Sequence, residues 1–157
     1  MVIVLSSLSG PIYAVTFARD FAALGYDAVL FDGWDFPRWD AKGGGDAIVH
    51  ASTMRDLVSV VVAFYPGTRF IPDKEALIDR WTVPTLVFAG DADNYENCCN
   101  KETIRKMASY AEDRGAPFER VVYPGAQHAF LTDHYKPDAA ADSWQRTVVA
   151  LNQHVGP

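Results

Sequence analysis

Five short runs rich in β-branched and apolar residues alternate along the chain with stretches of helical apolar spacing. They are VIVLS (2–6), DAVLF (27–31), SVVVAFY (59–65), PTLVFAG (84–90) and FERVVYP (118–124). No other feature constrains the fold as strongly. Strand, helix and strand in sequence make a crossover unit, and repeated units build a parallel sheet with helices on both faces. SVVVAFY is apolar almost without a break, as a strand covered on both sides should be. The helical stretches are 12–24, 44–54, 73–79, 98–114 and 138–154. Gly25 and Gly115 follow two of them directly, where glycine is a favoured helix stop. The expectation is a single α/β domain over 1–157, with three α/β/α layers around a five-stranded parallel sheet.

Composition agrees with one soluble domain. The 157 residues are 49% hydrophobic and 22% charged, enough apolar side chain for a core. The net charge of −6 argues against nucleic acid and anionic membranes as partners, because phosphate binding needs a basic face. No apolar run approaches the ~20 residues of a bilayer span. The opening MVIVLSS lacks a basic region and a cleavage site, so a cytoplasmic location is expected. Cys98 and Cys99 are adjacent, and neighbours rarely bond to each other, so they read as reduced thiols. No Cys/His spacing suggests a metal site, and neither metal nor cofactor is expected.

Sheets of this kind bind ligands beyond the carboxyl ends of their strands. That places the chemistry at 6–11, 32–42, 66–70, 90–97 and 124–134. GDADNY (90–95) leaves a strand and carries Asp91 and Asp93. A carboxylate there can hold the Nδ1–H of a histidine, or it can simply punctuate a loop. YPGAQHAF (123–130) follows the last strand and carries His128 in a turn made by Pro124 and Gly125. A loop histidine at this edge can act as a general base; it can also be an ordinary surface residue, as His50, His134 and His154 are expected to be.

An acid after the penultimate strand and a histidine after the last is the chain order that follows a nucleophile in α/β-hydrolases. With this order, the sequence resembles the dienelactone hydrolase family of that superfamily. The matching segments are FAALGYDAVLFD (21–32), KGGGDA (42–47), VVVAFYPG (60–67), VPTLVFAGDADNYENC (83–98) and VVYPGAQHAF (121–130). The resemblance implies a catalytic Asp93 and a catalytic His128, and gives SSLSGP (6–11) a part in the oxyanion hole.

One segment departs from the family pattern. Aligning Gly43 and Gly44 with the family's paired glycines puts Ala41 on the nucleophile and Trp39 on the first glycine. FPRWDA (36–41) holds proline, arginine and aspartate, and so cannot be the buried strand that feeds the nucleophile turn. A helix–strand unit is missing at this point. Closing the gap should let strands one and three pair, giving the order 2-1-3-4-5 of a reduced α/β-hydrolase core. Replacement nucleophiles are Ser7, Ser9, Ser52 and Cys98, with Ser9 foremost. The implied activity is hydrolysis of small esters or lactones, weak or absent. The alternative is a non-catalytic small-molecule-binding or interaction protein. A flavin or nucleotide binder is remote, since SSLSGP has one glycine. A homodimer is expected, because the missing unit should uncover apolar surface and Trp34, Phe36 and Trp39 crowd the junction.

Overall fold

The computed structural model describes residues 1–5, 11–31, 44–132 and 135–156. Its elements, in chain order, are β1 (Val2–Leu5), α1 (Pro11–Ala23), β2 (Ala28–Phe31) and α2 (Gly44–Asp46), which continues as a π-helical turn over Ala47–Ala51. Then come β3 (Val61–Phe64), α3 (Lys74–Ile78), β4 (Thr85–Gly90), α4 (Lys101–Arg114), β5 (Phe118–Tyr123) and α5 (Pro137–His154). Short 3-10 turns at Thr68–Phe70 and Tyr95–Asn97 lie past the ends of β3 and β4.

Local chemistry sets the boundaries. The Asp73 side chain accepts from the Ala76 amide and starts α3. Asn100 does the same for α4 through Glu102, so that helix begins at Lys101 rather than at Cys98. Gly115, with φ +65°, takes the left-handed conformation that ends α4.

All strand pairs are parallel. The core is β3-β4-β5, with Val61–Phe64 in register with Thr85–Phe88, and Thr85–Gly90 with Phe118–Tyr123. Every residue of β4 is buried. Its side chains alternate between faces, as strand geometry requires. Val87 and Ala89 pack with Ile48, Ile71, Ile78, Trp81, Ile104 and Met107. Leu86 and Phe88 pack on the other face with Ala126, Phe130 and Ala139.

The continuous five-stranded sheet expected from the sequence is not formed. The strands make a two-stranded sheet, β1-β2, and a three-stranded sheet, β3-β4-β5. The orders 2-1 and 3-4-5 are present, but β1 and β3 share no ladder. The break falls where the resemblance places the missing strand. A parallel pairing between strands distant in sequence forms only when the chain between them brings their edges within one strand spacing, and hydrogen bonding across β1 and β3 is not reached here. Side chains bridge the division instead. Phe17 and Phe21 of α1 stack on Trp144 of α5, and the Tyr26 hydroxyl donates to Asn152 Oδ1 at 2.6 Å. Val60, just before β3, packs into the same cluster. Among the described residues, no helix is long and apolar enough to cross a membrane.

Candidate active site

The ends of β3, β4 and β5 deliver three loops to one edge. Gly90 closes β4, and a Cβ built there would lie 2.1 Å from the Ala126 carbonyl oxygen. Only the missing side chain lets the acid loop touch the histidine loop. The two are also bonded together. The Ala92 amide donates to the Ala126 carbonyl at 3.0 Å, and Asp91 Oδ1 accepts from the Gly125 amide at 2.6 Å. Asp91 is therefore a brace between the loops.

Asp93 has a different partner. Its Oδ2 lies 2.9 Å from His128 Nδ1, and its Oδ1 accepts from the Tyr95 amide at 3.1 Å. The Asp93 side chain is fully buried, while His128 keeps 27% of its side chain exposed. An ionised carboxylate can only accept, so Nδ1 is the donor in this contact and Nε2 is the ring nitrogen not engaged by Asp93. The imidazole sits between two tyrosine rings. Tyr95 is stacked at 4.6 Å with 17° between planes, and Tyr65 is tilted at 4.7 Å.

Backbone strain gathers in the same place. Among the described residues, Tyr65 (φ +35°), Asn97 (φ +53°) and Ala129 (φ +60°) are the non-glycine residues with positive φ. Tyr65 packs tilted against the imidazole, Ala129 follows His128, and Asn97 precedes Cys98. Such conformations cost on the order of 1–3 kcal/mol each and persist where the surroundings over-determine them.

The structure corrects the reading of the cysteines. Cys98 and Cys99 are joined in a disulfide. Both are buried, and their sulfurs and one His128 ring nitrogen lie within 4.8 Å of one another. Sequence spacing could not reveal this, because the loop after β5 must fold back over the turn before α4 to bring His128 there. Ser52 is removed from the nucleophile candidates. It is fully buried, its hydroxyl donates to the Ile48 carbonyl, and its own carbonyl accepts from Thr82 and Val83. Ser7, Ser9, Ala41, His134, Trp34, Phe36 and Trp39 lie outside the described residues, as do most of SSLSGP and all of the 32–42 loop.

The parallel sheet, its flanking helices and the loops at its carboxyl edge are those of an α/β-hydrolase-like fold. Within that class, the model of the Dienelactone hydrolase family matches residues 42–155, and the chain belongs to that family. A probable 2-oxo-3-(5-oxofuran-2-ylidene)propanoate lactonase from Bradyrhizobium sp. is 27% identical over 81 residues, which are 50% of this chain and 32% of that protein. A candidate dienelactone hydrolase of Klebsiella pneumoniae, known from its crystal structure, superposes with a TM-score of 0.61 at 21% identity, over 90% of this chain and 60% of that one. Esterase 2 of Thermogutta terrifontis with propionate bound gives 0.51 at 22% identity, over 89% and 62%. The chain thus spans about a third of the lactonase and about three fifths of the two solved structures.

Proposed function

We propose that this domain is a dienelactone hydrolase-type fold whose Asp93–His128 pair can act as a general base on small esters or lactones, at a rate held low by the absent nucleophile. The bond from Nδ1 to Asp93, which holds the ring and leaves Nε2 as the nitrogen to meet a proton, carries the reading. In the simplest route Nε2 removes a proton from water as the water oxygen attacks the carbonyl carbon. The tetrahedral intermediate then expels its alkoxide, which takes the proton back from the imidazolium. Asp93 and the two tyrosine faces stabilise the imidazolium in between. Losing the nucleophile from such a triad costs on the order of a million-fold in kcat, and the remaining parts supply ~10³–10⁴ over water.

Hydrolysis of p-nitrophenyl acetate by wild type, Ala41→Ser and His128→Ala tests this reading. The expected result is weak turnover in wild type, little gain in Ala41→Ser, and loss of the residue in His128→Ala. Ala41→Ser should fail because the strand that strains the nucleophile turn is missing along with the nucleophile. Robust wild-type turnover that vanishes in His128→Ala would mean that a nucleophile sits elsewhere and would overturn the low-rate reading. A second reading, a non-catalytic binding protein, is favoured by the sulfurs beside His128 being tied up in a disulfide.

A further inference from the structure

The geometry points to a redox-gated site for a thiophilic metal ion, made by Cys98, Cys99 and His128 once the disulfide is reduced. The two sulfurs and the imidazole nitrogen lie within 4.8 Å of one another. Ligand atoms around tetrahedral zinc stand ~3.5–3.8 Å apart, given Zn–S near 2.3 Å and Zn–N near 2.0–2.1 Å, so the imidazole must close in by about 1 Å and the two sulfurs, once reduced, must separate to that spacing. Two thiolates and one imidazole form a known three-ligand set with a fourth position open to water.

Three features of the surroundings suit an ion. Asp93 binds Nδ1 and so leaves Nε2 as the nitrogen to meet an ion, which is the carboxylate–histidine–metal arrangement that fixes the tautomer and raises ligand basicity. The Cys98 carbonyl accepts from the Arg69 amide at 3.0 Å and from Thr68 Oγ1 at 3.3 Å. The turn is therefore anchored from outside the pair and stays in place when the S–S bond opens. Both cysteines are buried, so water competes weakly for the ion. Softness selects the class of metal, since thiolate and imidazole favour zinc-like or cuprous ions over calcium or magnesium.

The gate balances simply. A dithiol reductant gives two electrons and two protons to the Cys98–Cys99 bond and leaves as its own disulfide. Metal then displaces the thiol protons to solvent. A disulfide oxidant takes the two electrons back and leaves as its own dithiol, which joins the sulfurs and releases the ion to solvent. Occupancy would also take Nε2, the nitrogen proposed above as the base. The metal site does not rest on hydrolytic activity, because its readout is binding.

The test is titration of reduced protein with Cd²⁺, followed by the ultraviolet thiolate-to-cadmium charge-transfer band, with Zn²⁺ as competitor. A saturable band with one ion per chain is expected, absent from the disulfide form. Cys98→Ser and Cys99→Ser should each abolish it. His128→Gln should weaken binding, and Asp93→Asn should weaken it ~10–100-fold as the outer partner of the histidine. In the unaltered protein, Zn²⁺ should protect both reduced thiols from iodoacetamide, a readout independent of whether any variant folds. No band, or no protection by Zn²⁺, overturns the site. Affinity unchanged in His128→Gln, or equal binding by the disulfide form, overturns it as well.

Discussion

Gly90 has no room for a side chain, and two loops depend on that. The Ala126 carbonyl oxygen stands 2.1 Å from where a Cβ would be, against backbone that cannot rotate away. Gly90→Ala is expected to push the 124–130 loop off the acid loop. It should lengthen the 2.9 Å contact between Asp93 and His128 and lower stability by about 1–3 kcal/mol, as overpacking does. Urea unfolding checks the stability, and a crystal structure of the variant checks the contact. Unchanged stability together with an unchanged contact would remove Gly90 from this role. The placement of Asp93 and His128 on neighbouring loops was legible in the sequence because each sits just past a strand end in a recognisable run. The roles of Asp91 and the two cysteines were not, since a brace and a buried cluster depend on which loop lands on which.

Between elements, the tie from β5 to α5 runs through Tyr123. Its hydroxyl donates to Asp142 Oδ2 at 2.7 Å, and the same oxygen accepts from Arg146 Nε at 2.7 Å. Burial first, and then the bond to Asp142, push the Tyr123 hydroxyl well above its usual pKa. The bonds from Tyr123 and then Arg146 hold the Asp142 carboxyl below its usual value. A lowered carboxyl pKa stabilises the fold above the unfolded pKa, and that contribution fades as pH falls through the folded one. A raised tyrosine pKa acts at the other end, where its contribution is complete below pH ~10 and fades as pH rises through the folded value. Tyr123→Phe is therefore expected to cost about 0.5–1.5 kcal/mol near neutral pH and to flatten both limbs of stability against pH. Equal slopes in the variant and wild type, measured by denaturant midpoints, would break the link. Most elements could be read from the sequence, since periodicity and capping residues are local. The lack of a ladder between β1 and β3 could not, because it depends on whether distant segments close a gap.

At the scale of the whole molecule, the β1-β2 pair exposes apolar side chains. Ile3 and Val29 are register partners on β1 and β2, and they are 56% and 46% exposed; Met1 beside them is 67% exposed. Side chains of this kind on one sheet face favour association, and the commonest outcome is a two-fold dimer. Light scattering at micromolar concentration is expected to give a mass above the 17.3 kDa of one chain, and Ile3→Lys or Val29→Lys should return it to that value. A wild-type sample holding only the 17.3 kDa species would defeat the dimer.

The tyrosines on either side of His128 also make it its own reporter. Protons held over an aromatic face are shielded by the ring current, and Tyr95 lies nearly parallel to the imidazole with Tyr65 on it as well. The carbon-bound protons of this ring should resonate upfield of those of an ordinary exposed histidine. A one-dimensional proton spectrum, without isotope labelling, would then follow any event that moves the imidazole out from between the tyrosines.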